Sequence, residues 1–283
     1  MKKFLAVSGG IDSVVMLYLM RNDKSVVVLH FDHGIRPSSA EDCEFVKRLA
    51  KQYGLPFISE QAKLGEDCSE ERARKERYAF FKAQLKEPGD KIYTAHHRDD
   101  LLESAIINLF RGTGWRGLAP LRDKNLCRPL LNMSKADIYK IATENKLSFR
   151  LDQSNSEDKY LRNRIRQKLL ECPLQDKQKL VELAIKQRLI ADEIDELLET
   201  AFPKQSYYSR SIFKEADEAV ALEILRHVLR PEFSLTRPQL ERALEAIRNF
   251  QPGKRFSLSK DGFLLIKKYN FTIEQTGVNL HKH

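Results

Sequence analysis

The sequence predicts an α/β fold, a parallel sheet with helices on both faces, followed by a smaller, mainly helical domain that ends in a β-hairpin. Three observations predict it. Up to about Arg128, short β-branched runs alternate with longer helical patterns, as strands joined by crossover helices do. From Met133 the pattern turns mainly helical. Between Gly253 and Ile266 apolar and polar residues alternate around Asp261-Gly262, the composition of a primed hairpin turn. At 283 residues the chain is long enough for an α/β domain with its own core and one smaller domain.

The first strand, Phe4–Val7, runs straight into Ser8-Gly9-Gly10-Ile11-Asp12-Ser13, and a helix over Ser13–Met20 follows. A strand, a glycine turn and a helix N-terminus make an anion site, because glycines let backbone N–H groups approach a phosphate and the helix dipole adds favourable potential. Ser8 and Ser13 add hydroxyl donors. Asp12 repels phosphate unless it caps the helix or holds a magnesium ion against the phosphates. The stretch therefore points to a nucleotide with its metal, although a plain strand-turn-helix connection also accounts for the glycines. It lacks the Gly-Lys-Ser/Thr ending of a Walker loop, which disfavours γ-phosphate hydrolysis.

The next strands are expected at Val26–Phe31, Pro56–Ser59 and Lys91–Ala95, with helices at Ala40–Tyr53, Ser69–Leu85 and Asp100–Phe110. Ligands on such a sheet bind beyond the carboxyl ends of its strands. The second strand leads to Asp32, placed to bind magnesium or orient an amine, or simply to form a turn. The fourth leads to His96-His97-Arg98-Asp99-Asp100 and Glu103. On a helix starting near Arg98, Asp100 and Glu103 share a face and pair two carboxylates, which suits an ammonium group or a metal; an acidic N-cap is the plainer reading. The loop Arg111-Gly112-Thr113-Gly114-Trp115-Arg116-Gly117 combines arginines and glycines in a way that fits phosphate clamping.

Helices then follow at Lys135–Asn145, Leu161–Leu170, Gln175 to about Glu199, Glu215–Leu229 and Pro238–Asn249, before the hairpin. Arg162, Arg166 and Lys168 make the helix after Ser154-Asn155-Ser156 densely basic, which fits phosphate contact or a solvated face. Lys and Arg total 49 against 40 acids, a net charge of +9, so a polyanionic partner is favoured. Cys43, Cys68, Cys127 and Cys172 lie far apart without a Cys-x-x-Cys pair, which argues against zinc, a cluster or a disulfide framework. The N-terminal apolar run is too short for a signal peptide, and no run approaches a membrane span, so a cytoplasmic protein with no membrane partner is expected.

Taken in order, Ser8-Gly-Gly-Ile-Asp-Ser13, Phe31-Asp-His-Gly-Ile-Arg36, His96-His-Arg-Asp-Asp-Leu-Leu-Glu103, Arg111-Gly-Thr-Gly-Trp-Arg-Gly-Leu118, Arg128-Pro-Leu-Leu131 and Tyr160-Leu-Arg-Asn-Arg-Ile-Arg166 closely resemble the tRNA(Ile)-lysidine synthetases, a branch of the ATP pyrophosphatases of the PP-loop superfamily. The resemblance covers about Phe4 to Lys168 strongly and continues weakly to the hairpin. It implies an adenine nucleotide alpha hydrolase-like, Rossmann-like catalytic domain over residues 1–172, a helical linker over 173–206 and a small tRNA-contacting domain over 207–283. The chain resembles a short family member without the extra C-terminal domain of longer relatives.

By the same resemblance, ATP is split to AMP and pyrophosphate and free L-lysine is joined to the wobble cytidine of a CAU-anticodon tRNA(Ile). Ser8, Gly9, Gly10, Ile11, Asp12 and Ser13 then bind ATP, and Asp12 and Asp32 bind Mg2+. Asp32, Arg111 and His96 serve catalysis, Asp100 and Glu103 hold lysine, and Arg162, Arg166 and Lys168 contact the tRNA. The family includes dimers, so a second copy of the chain is among the implied partners. The rivals are tRNA thiolation, which the scattered cysteines disfavour, and a non-catalytic RNA-binding protein, which has no need for Asp32, Asp100, Glu103 and Arg111 together.

Overall fold

The computed structural model describes residues 1–32, 34, 39–62, 68–123, 125–150, 157–230, 232–233, 235–260 and 262–275. They divide into two compact units, Met1–Leu189 and Ile190–His283. The first is built on a five-stranded, all-parallel sheet. Its strands are β1 (Lys3–Ala6), β2 (Val26–Asp32), β3 (Phe57–Gln61), β4 (Lys91–Tyr93) and β5 (Leu126–Cys127), in the order β3-β2-β1-β4-β5. Every residue of β2 is buried, as expected of an interior strand in a sheet covered on both faces.

Alternation along the strands sends their side chains into two cores. Leu5, Val26 and Val28 pack with Ile11, Val15 and Met16 of α1 (Ile11–Met20), Val46 and Ala50 of α2 (Ser39–Gln52), and Ile138 and Ala142 of α5 (Lys135–Glu144). Phe4, Val27, Leu29, Phe31 and Ile92 pack on the other face with Phe80 and Phe81 of α3 (Glu70–Ala83). The helix α4 (Arg98–Phe110) follows β4, and α6 (Glu157–Glu171) packs against it. Sequence periodicity located these elements to within a few residues. It did not reveal β5, whose two residues are too few to show a period.

The strand order reverses between β1 and β4. In open α/β sheets such a reversal opens a crevice at the strands' carboxyl ends, where the connections diverge to opposite faces. The turn after β1 and the residues after β4 flank that crevice.

The long helix α7 (Leu174–Ala201) runs across the boundary at Leu189. In the second unit, α8 (Arg210–Glu215), α9 (Glu218–Leu229) and α10 (Arg237–Asn249) pack on a sheet of β6 (Tyr208–Ser209), β7 (Arg255–Ser259), β8 (Gly262–Ile266) and β9 (Asn270–Gln275). All strand pairs in this sheet are antiparallel, in the order β6-β9-β8-β7. The expected terminal hairpin is thus two strands of four, and its turn residue Asp261 lies outside the described residues. The helix expected from Glu215 begins instead at Glu218, because Asp217 caps it by accepting the Ala219 N–H (2.8 Å).

Candidate functional site

Three hydrogen bonds shape the glycine turn. The backbone N–H groups of Ser8 and Gly9 both donate to the Ser13 hydroxyl, each at 3.2 Å, and that hydroxyl donates to the Gly10 carbonyl at 2.8 Å. Two amides therefore converge on one oxygen, the arrangement that cradles a phosphate oxygen. Gly10 is the N-cap of α1 and offers no side-chain acceptor, so the helix's first N–H groups have no side-chain cap. Gly9 holds φ at +93°, a left-handed conformation that strains any residue with a Cβ. Ile11 contributes only backbone here, since its side chain belongs to the core.

A second segment braces the turn. Arg150 N–H donates to the Gly9 carbonyl (2.9 Å), and its guanidinium reaches α2 through Asp42 (2.9 Å) and Glu41 (2.6 Å). Across the crevice, His97 caps α4: its Nδ1 accepts the Asp99 N–H (3.2 Å), and the Asp100 carboxylate accepts the His97 N–H (2.9 Å). With Nδ1 acting as acceptor, the ring's proton sits on Nε2, which faces Asp100 at 3.4 Å and Asp12 at 3.8 Å. The fold thus brings Asp12 and Asp100 to one histidine.

Lys135, the first residue of α5, completes this cluster. Its Nζ donates to Asp12 Oδ1 at 2.6 Å, and its backbone N–H donates to the Asp99 carboxylate at 2.8 Å. Sequence reasoning missed both Lys135 and Arg150. Their roles arise from pairings 123 and 108 residues apart, and each is an ordinary basic residue locally.

The remaining expected residues fall into four places. Asp32 is buried at the end of β2, where it accepts from Gly34 N–H (2.8 Å) and Gln61 Nε2 (3.0 Å). His96 lies after β4, its Nδ1 2.9 Å from Thr94 Oγ1, and burial holds its pKa down to about 4, so the ring is neutral. Glu103 is 1 % exposed and grips Arg166 in a fork (2.7 and 3.1 Å), with Arg162 at 3.5 Å. The fork raises the Arg166 pKa. Arg162 and Arg166, expected to face a polyanion, therefore turn towards α4, while Lys168 is exposed and pairs with Glu171 (2.9 Å). Arg111 stands at the C-terminal end of α4, whereas Asp100 lies in its first turn. At about 1.5 Å per residue the helix separates them by roughly 16 Å, so the structure does not bring Arg111 to the cluster. The Ser154-Asn155-Ser156 segment lies outside the described residues.

Residues 1–172 match the PP-loop domain family. The chain belongs to the PP-loop family. Along 87 % of its length it is 31 % identical to the tRNA(Ile)-lysidine synthase of Thermotoga maritima, and it covers 64 % of that protein. It is 38 % identical to the tRNA(Ile)-lysidine synthase of Thermosipho africanus over 59 % of this chain and 42 % of that one. The chain thus spans less than two thirds of the length of these curated relatives. Among solved structures, the U34-tRNA thiolase NcsA from Methanococcus maripaludis aligns with a TM-score of 0.46 and 16 % identity, over 92 % of this chain and 77 % of that one. The matched span contains the PP-loop turn, Asp32, the α4 cap and Lys135, that is, every group of the crevice.

A magnesium ion fits this donor set. Mg2+ takes one or two carboxylates and completes its shell with water and substrate phosphates. Asp12, about one-third exposed beside the PP-loop amides, meets that requirement. Both Asp32 oxygens already accept hydrogen bonds. No cluster of three or more metal-ligating side chains exists among the described residues. The four cysteines are free, and no described helix is long and apolar enough to cross a membrane.

Proposed function

We propose that the chain is a tRNA(Ile)-lysidine synthase that activates the wobble cytidine of a CAU-anticodon tRNA with ATP and Mg2+ and then joins free L-lysine to it. The observation that carries this reading is the meeting of the PP-loop amides with Asp12, His97 and Asp100 across the β1/β4 crevice. The printed names of the relatives favour a tRNA acceptor.

In this reading the PP-loop, with Ser8, Gly9, Gly10 and Ser13 and the Ile11 backbone, binds the pyrophosphate portion of ATP. The cytosine O2 attacks the α-phosphate, and the bond to pyrophosphate breaks. The adenylated base is then attacked by the ε-amine of lysine, and AMP leaves with the O2 oxygen. Activation is required because an amide-like carbonyl carbon has a poor leaving group. Mg2+, when bound at Asp12, offsets charge on the phosphates. Asp32, at the end of β2, orients the substrate amine or a second ligand of the metal.

Asp100 and Glu103 supply negative charge for lysine, with Glu103 acting while it also anchors Arg166. His96, neutral and buried, can accept the proton that the lysine nitrogen sheds after the neutral amine has bonded to the base carbon and AMP departs. Arg162, Arg166 and Lys168 contact tRNA, and Arg111 stabilises the α-phosphate. The Arg111 role requires its loop to approach the crevice from the far end of α4. The protein acts in the cytoplasm, as a monomer or a dimer.

The test is ATP–pyrophosphate exchange with CAU-anticodon tRNA, followed by incorporation of labelled lysine. Exchange and lysine incorporation that both depend on the tRNA support the reading. Sulfur incorporation, or RNA binding without exchange, points to one of the two rivals.

A further inference from the structure

We infer that Arg128, Arg74 and Arg77 form a second phosphate site in the first unit, separate from the PP-loop, which holds a backbone phosphodiester of the RNA acceptor. This deepens the function proposed above and rests on it. Arg128 follows β5 directly and lies beside Thr94, whose N–H bonds the Cys127 carbonyl (2.9 Å), at the carboxyl edge of the sheet. One guanidinium nitrogen donates to the Leu126 carbonyl (3.1 Å), while Nε is buried with no hydrogen-bond partner among the described residues. A buried, unpartnered guanidinium N–H is costly unless an acceptor arrives.

Two more cations face the same place. Arg74 and Arg77 project from α3 and stack on the Tyr78 ring, at 5.1 and 5.7 Å from its centroid. Positions 74, 77 and 78 share one helical face. Tyr78 bears on Arg128 as well, as do Asp123 and Cys127, but the Asp123 carboxylate is partly engaged by the Asn125 N–H of its own turn (2.9 Å). All three guanidinium groups also bear electrostatically on His96, which places the cluster within reach of a residue expected to serve catalysis. Planar guanidinium forks of this kind match phosphate oxygens.

The position separates this phosphate from the triphosphate. The helix α3 packs with Phe80 and Phe81 on the sheet face opposite the one that carries α1. Arg128 also stands two strands away from β1, about 10 Å across the sheet. ATP held on the PP-loop and an RNA strand held on the arginines would thus approach the crevice from opposite faces, with the target base between them.

Equilibrium binding tests this without turnover. The ligands are a CAU anticodon stem-loop RNA and the non-cleavable α,β-methylene analogue of ATP with Mg2+. Arg128→Met is expected to weaken RNA binding about tenfold and to flatten the slope of log affinity against log salt by about one, with nucleotide affinity unchanged. Arg74→Met, at an exposed position on α3, is expected to act in the same direction. An RNA with a neutral methylphosphonate beside the target cytidine should bind wild type and Arg128→Met alike. Unchanged RNA affinity in both variants, or a loss confined to the nucleotide, would overturn the inference. A wild-type protein that binds no RNA would instead overturn the function on which it rests.

Discussion

At the scale of single residues, the crevice sets protonation and charge in ways that can be measured. Burial holds His96 at about 4 against an ordinary value near 6.5, so the unfolded chain binds a proton there more readily than the folded one. Its contribution to stability is complete above about pH 6.5 and is lost as pH falls towards 4, a change on the order of 3 kcal/mol. The His96→Gln variant should therefore lose less stability than wild type between those pH values in urea titrations. Parallel curves would contradict the burial argument. Lys135 gives a second prediction. With its Nζ on Asp12, it neutralises a carboxylate that would otherwise repel the triphosphate. Lys135→Met should weaken nucleotide binding strongly in chelator and much less with millimolar Mg2+, which can take over Asp12. Equal losses under both conditions would mean that the ion pair has no bearing on the nucleotide. His96 is expected from the sequence to serve catalysis, but its burial is not legible there, and Lys135 reads only as the first residue of an expected helix.

At the scale of elements, the second unit is held by two arginines that cap each other's helices. Arg210, on α8, is 5 % exposed and donates to the carbonyls of Ile247, Arg248 and Phe250 at the end of α10 and to Lys267 beyond β8. Arg248, on α10, returns bonds to Phe213 and Ala216 at the end of α8. Both satisfy orphan carbonyls and complement the helix dipoles. Arg210→Met should cost about 3 kcal/mol or more, and Arg210→Lys should recover little because one ammonium cannot reach four carbonyls. Urea denaturation checks this, and an unchanged midpoint for Arg210→Met would refute it. Such a cap is not legible in sequence, since an isolated arginine has no periodic signal. The first unit was more legible: β2 is a β-branched run, α3 opens on Ser69, and the strand-turn-helix passage at Ser8–Ser13 stands where the sequence puts it. Most of what escaped was short or long-range, although β9, six residues paired with the adjacent β8, escaped too. The strands β5 and β6 have two residues each, and the grip of Glu103 on Arg166 joins positions 63 residues apart. That grip ties one edge of the α6 basic face to α4 while leaving Arg162 and Arg166 partly exposed.

At the scale of the whole molecule, the net charge of +9 is informative only once its carriers are placed. In the first unit several arginines are committed: Arg150 to Glu41 and Asp42, and Arg162 and Arg166 to Glu103. In the second unit Lys254, Arg255, Lys267 and Lys268 are exposed near the ends of β7 and β8, and Arg255 stacks on Phe263 at 4.6 Å. If these residues meet tRNA phosphates outside the anticodon arm, full-length tRNA should release more counterions on binding than an anticodon stem-loop does. Its log affinity should then fall more steeply with log salt, by roughly 0.7 to 0.9 for each added phosphate contact. Replacing the four with Gln should bring the full tRNA's slope back to that of the stem-loop and leave the stem-loop's own affinity unchanged. Coincident slopes in the wild-type protein would assign the RNA contacts to the first unit alone.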